Sequence, residues 1–174
     1  MSSERRTWLE VVGEVTRYLG AVSLLMVAAI HAQQYYDAYF SAVPTIGRLF
    51  MLNIVGAGVT GLLLLAPVRL LGRRAGNAIL IPAALAGIGV AAGAFTALIV
   101  SEYTPLFGFK ESGYRLAIEL SLLFEGLATL LLAAFIATVA LDRQASRADD
   151  NSRLGAARRQ LERQPAITGQ EKAA

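Results

Sequence analysis

Four apolar runs, at residues 19–30, 49–66, 78–100 and 116–141, constrain this chain more than any other feature. A bilayer span needs about 20 predominantly apolar residues, each rising ~1.5 Å along a helix. Three of the runs reach that length unaided, and the first extends through Val11, Val12, Val15 and Tyr18 on one side and residues 32–36 on the other. With 55% hydrophobic residues, 17% charged residues and a mean hydropathy of +0.52, the 174-residue chain is too apolar for an ordinary soluble domain. The predicted fold is an all-α, polytopic membrane protein: an up-down bundle of four transmembrane helices at about 15–36, 45–66, 78–101 and 114–141. Residues 1–17 form an amphipathic lead-in, and residues 142–174 form a basic, mostly disordered tail with at most a short helix near 154–163. A cleavable signal peptide is the rival reading of the first run, since Val27-Ala28-Ala29 resembles a small-residue cleavage site. The preceding segment carries Glu4, Glu10 and Glu14, whereas a signal n-region is short and basic.

Charge placement sets the expected orientation. Lys and Arg number 13 in the lead-in, the link between spans two and three, and the tail, against 3 in the other two loops (Arg48, Lys110 and Arg115). Basic residues accumulate on the cytoplasmic side, so both termini are expected inside a bacterial cytoplasmic membrane. The +3 net charge is explained by this asymmetry rather than by nucleic acid binding.

Breakers mark the loops. Residues 33–43 are the expected first external loop, and Pro44 suits the first turn of helix two, where its missing amide hydrogen would be unpaired anyway. Pro67 stops that helix, and the link PVRLLGRRAGN is a tight basic turn. The second external loop, EYTPLFGFKESG, carries Pro105, Gly108 and Gly113, with Ser112 as a cap for helix four; Ser2 or Ser3 caps the first helix. The external tyrosines and phenylalanines, with Trp8 and Tyr18 at the other surface, read as aromatic belts. GRL at 47–49 and GYRL at 113–116 give the two hairpins a faint internal likeness, which chance explains as well as duplication does.

Small residues recur at helical spacing on helix two (Gly56, Gly61, with Asn53, Ala57 and Thr60) and helix three (Gly89, Gly93, with Ala86 and Ala97). Such seams let helices approach closely, within one chain or between subunits.

The chemistry available is narrow. There are no cysteines, which excludes thiolate catalysis, disulfides and Cys-ligated metals, and one histidine excludes multi-histidine metal sites. No phosphate loop, nucleophile motif or metal-ligand spacing occurs, so no catalytic residue and no cofactor is predicted. Glu125 is the outlier. It lies nine residues past Leu116, ~13 Å into a hydrocarbon core ~30 Å thick. An ionised carboxylate there costs several kcal/mol unless paired, hydrated or protonated. Its own helix offers only Ser121 and Thr129 on the same face. Glu119 is expected to pair with Arg115 four residues earlier, Asn53 to hydrogen-bond between helices, and Arg48 to reach the headgroups. His31 lies near the outer end of helix one with Gln34 and Tyr35 on its face. His31, Gln34, Asn53, Glu119 and Glu125 all fall in the outer half of the bilayer, where four helices can gather them around one outward-opening cavity.

The segments HAQQYYDAY with PTIGRLFMLN, and TPLFGFKESGYRLAI, resemble small four-span membrane proteins common in actinobacteria, over about residues 20–141 and without the tail. The resemblance implies an envelope setting and no particular activity. Three functions fit the residues: an accessory subunit of a membrane assembly or a homo-oligomer, with a protein partner besides the bilayer; a small proton-coupled carrier using Glu125; and a haem- or quinone-binding protein, in which the lone histidine supplies one axial ligand per chain.

Overall fold

A computed structural model of the chain describes residues 3–38, 40–108 and 116–163. It is built from four long helices: α1 Ser3–Asp37, α2 Pro44–Leu65, α3 Arg73–Tyr103 and α4 Leu116–Arg163. Short 3₁₀ turns at Phe40–Ala42 and Val68–Leu71 lie between the helices of each of the first two connections. All four helices are long and apolar enough to cross a membrane.

Local chemistry explains the ends. Pro44 occupies the first turn of α2. Ala66, which precedes Pro67, is extended (φ −60°, ψ 142°), because the proline ring disfavours helical geometry in the residue before it. Gly72 enters α3 at φ 92°, a backbone geometry that glycine adopts without a Cβ clash. Pro82 lies inside α3 and removes one backbone donor there. Membrane helices tolerate such a gap when neighbouring groups satisfy the freed carbonyl.

Two expectations are corrected. The first loop is shorter than 33–43, since α1 continues through Asp37 and Ala38 still donates to the Gln34 carbonyl at 3.2 Å. Nothing in Gln33 to Tyr36 breaks a helix. The tail expected to be mostly disordered from residue 142 is instead helical as far as Arg163, continuous with the fourth span. The segment is rich in Ala, Arg, Leu and Gln and contains no proline before Pro165, so propensity carries the helix into water. Residues 164–174, the Ser2 cap, the Ser112 cap and the expected Arg115–Glu119 pair lie outside the described residues.

The helices pack in a ring in chain order. α1 meets α2 and α4, α3 meets the same two, and α1 scarcely touches α3 across the diagonal. The core comprises Ala21, Leu24 and Val27 of α1, Ala57 and Leu64 of α2, Leu80, Ala84 and Ala91 of α3, and Ala128, Leu132 and Phe135 of α4. The outer surface is apolar too. Leu52, Val55, Val59 and Leu62 of α2 are 64%, 55%, 52% and 62% exposed, the inverse of a water-soluble bundle.

Glycines bring the helices together. A Cβ on Gly20 would stand 2.7 Å from Leu132, and one on Gly87 would stand 2.7 Å from Leu24. Gly61 is closed by Leu25 and the Ala21 carbonyl, and Gly56 by Val90 at 3.0 Å. Gly89 and Gly93 face open space, with nothing within 4 Å of an added Cβ.

Alternation places the start of α1 and the middle of α4 at the same end of the bundle. Ion pairs lace that terminal end. Arg17, only 2% exposed, donates to the Leu64 carbonyl at 2.5 Å and pairs with Glu14 at 2.6 Å. It thereby satisfies carbonyls that the C-terminus of α2 leaves without helical partners. Glu14 also meets Arg69 at 2.6 Å, while Arg73 bridges Glu10 of α1 (2.7 Å) and Asp142 of α4.

Candidate functional site

The other end of the bundle, here the distal end, encloses a cavity of about 100 Å³. A water molecule needs roughly 10–15 Å³ measured this way, so the space admits several waters or part of a small organic molecule. All four helices contribute. α1 supplies His31 and Gln34; α2 supplies Ile46, Leu49, Phe50 and Asn53; α4 supplies Ala117, Ile118, Ser121 and Glu125. α3 turns Ala94, Ala97, Leu98 and Ser101 inward, and its small side chains leave the volume open.

The polar heart is His31 with Glu125. The His31 side chain is 9% exposed and that of Glu125 1% exposed. Nδ1 of His31 stands 2.9 Å from the Val27 carbonyl one turn earlier. A carbonyl only accepts, so Nδ1 carries the hydrogen and donates it, which leaves Nε2 to face the cavity. Nε2 stands 3.7 Å from Oε1 of Glu125. That is beyond direct hydrogen-bond length, yet close enough for one proton to pass between them with a small side-chain adjustment or through a water. Oε2 of Glu125 is buried and has no hydrogen-bond partner among the described residues. Thr129 donates to the Glu125 main-chain carbonyl at 2.8 Å, so it leaves the carboxyl unsatisfied.

Aromatic rings wall the histidine. Phe50 lies 5.1 Å from the imidazole centroid, and Phe40, on the 3₁₀ turn after α1, stacks on Phe50 at 4.8 Å. These two rings are the site residues that sequence reasoning did not single out. Their signal was present, since Phe50 follows Ile46 by four residues and shares its face of α2, but an apolar ring in an apolar helix does not announce a cavity. Arg17 is a second omission from the residues singled out, buried at the terminal end.

Of the five residues expected to converge, His31, Gln34, Asn53 and Glu125 line the cavity. Glu119 does not; its side chain is exposed one turn and a half before Glu125. Asn53 makes no hydrogen bond to another described residue and turns into the cavity, rather than tying two helices together. Arg48 is exposed. Among the described residues no three His, Asp or Glu side chains come together as a metal site.

A bundle with an apolar exterior and four spans, with a buried His–Glu pair on the wall of a cavity between them, is a helical integral membrane protein. No family model, no curated protein and no solved structure matches the chain.

Proposed function

We propose that this four-span protein is a small proton-coupled carrier of a bacterial cytoplasmic membrane, with both termini inside, the distal cavity facing outward, and His31 with Glu125 as the proton-binding pair. The observation that carries this reading is the buried carboxyl and imidazole, 3.7 Å apart, on the wall of a cavity within the apolar part of the bundle. Intramembrane ionisable residues are costly to keep, and they mark proton relays and substrate pathways. With Nδ1 held by the Val27 carbonyl, one proton shared between Nε2 and Glu125 leaves the pair neutral on whichever atom it rests. Release of that proton leaves a carboxylate in hydrocarbon, which a donor group or a cation on the ligand would compensate. The basic residues at the terminal end support the orientation.

The test is reconstitution into liposomes holding a pH-sensitive dye. An imposed pH gradient is expected to drive a flux through the wild-type protein that Glu125→Gln abolishes. A wild-type protein without any pH-dependent flux contradicts the proposal.

A second reading, an accessory subunit or homo-oligomer, is supported by Gly89 and Gly93, which present a smooth, uncovered strip of α3. It predicts an oligomer or a co-purifying partner after gentle solubilisation; a clean monomer alone counts against it.

A further inference from the structure

The terminal end carries a second cleft, remote from His31 and Glu125. It lies between the start of α3 and the part of α4 just past its apolar run, and its volume is about 580 Å³. Four arginines line it, Arg73, Arg74, Arg143 and Arg147, against two aspartates, Asp142 and Asp150. Arg73 is committed, bridging Glu10 and Asp142, and it braces α1, α3 and α4 around the cleft. Arg74, Arg143 and Arg147 enter no ion pair among the described residues and are exposed. Arg143 and Arg147 are four residues apart, so α4 presents them on one face. The cleft therefore has an excess of positive charge concentrated on three uncommitted guanidinium groups.

Its height in the bilayer is set by the sequence. Arg74 precedes the apolar run of α3 by one turn, and Asp142 directly follows Leu141, where the apolar run of α4 ends. Both sides of the cleft thus fall at headgroup level. Guanidinium groups bind phosphate oxygens through paired, charge-assisted hydrogen bonds, and basic clefts between membrane helices suit anionic headgroups.

We infer that this cleft binds an anionic phospholipid, with Arg74, Arg143 and Arg147 on the headgroup phosphate. The inference is independent of the transport reading, since it uses the opposite end of the bundle.

The test is competitive lipid retention by the full-length protein in neutral detergent. The protein is offered equal amounts of phosphatidylglycerol and phosphatidylcholine with identical acyl chains, and bound lipid is read by native mass spectrometry. Phosphatidylglycerol is expected to be enriched on the wild-type protein. Each basic residue at such a surface is worth roughly fivefold, so the Arg143→Gln/Arg147→Gln double variant should lose about 25-fold of that enrichment. Arg153→Gln/Arg159→Gln, further out on the same helix, should keep it. If the first double variant does not fold, Arg74→Gln provides the same test with a loss of about fivefold. Equal retention of the two lipids by the wild type overturns the inference, as does unchanged enrichment in the Arg143/Arg147 or Arg74 variant. Displacement of the lipid by inorganic phosphate at the lipid's own concentration also overturns it, and would reassign the cleft to a free anion.

Discussion

Replacing Glu125 and His31 by leucine, singly and together, separates a functional pair from a structural clamp. If both groups were charged, their attraction across 3.7 Å would be about 4.5 kcal/mol at an effective dielectric of about 20. Withdrawing each ion from water costs several kcal/mol, so the two terms nearly cancel. Oε2 of Glu125 has no partner among the described residues, and a buried polar atom left so lowers stability rather than raising it. Glu125→Leu is therefore expected to change unfolding free energy by less than about 1 kcal/mol. His31→Leu strands the carboxyl and is expected to destabilise by about 1–3 kcal/mol. The double variant is expected to return close to wild type, which yields a coupling of at least about 1 kcal/mol in the cycle. Reversible denaturation in detergent micelles, followed by near-UV circular dichroism, provides the measurement. Should Glu125→Leu alone cost more than about 3 kcal/mol, the carboxyl is a structural clamp and the reasoning fails.

Gly20→Ala places a methyl group 2.7 Å from Leu132 and is expected to cost about 1–3 kcal/mol, measured in the same denaturation assay. Gly93→Ala meets nothing within 4 Å, so monomer stability should stay within about 0.5 kcal/mol, while self-association, read by native mass spectrometry, should weaken if α3 is an interface. Arg17→Met removes the donor to the Leu64 carbonyl but leaves Glu14 its Arg69 partner, and about 1–3 kcal/mol of stability should be lost on thermal unfolding. Residues 151–161 of α4 are almost wholly exposed, and an isolated helix of that length is marginal in water. Their amide hydrogens should exchange much faster than those of residues 118–139 in a hydrogen–deuterium experiment.

The spans were legible because hydrocarbon imposes one demand: every backbone group must be satisfied within the segment, and only long apolar helices meet it. Pro44 and Pro67 fixed the bounds of α2 for the same local reasons in sequence and structure. The length of α4 was less legible, since charge alone suggested disorder while Ala, Leu, Arg and Gln favour helix in water. Depth along the spans placed His31, Gln34, Asn53, Glu119 and Glu125 in one half of the bilayer, and the packing then brought all but Glu119 around one cavity. Depth says nothing about rotation, and Glu119 shows the consequence: six residues from Glu125, it lies 600° around an ideal helix, or 120° from it, and faces outward. The seams behaved alike. Gly87 and Gly89 are two residues apart, yet one meets Leu24 and the other meets nothing, because 200° separates their directions.

The most direct measurement of proton binding at Glu125 is infrared difference spectroscopy of the protein in bilayers, recorded across a pH titration. A carboxyl carbonyl band that changes with pH, vanishes in Glu125→Gln and is displaced in His31→Phe is the predicted result. Spectra of the wild type and Glu125→Gln that superimpose at every pH would contradict a proton-binding pair at this site.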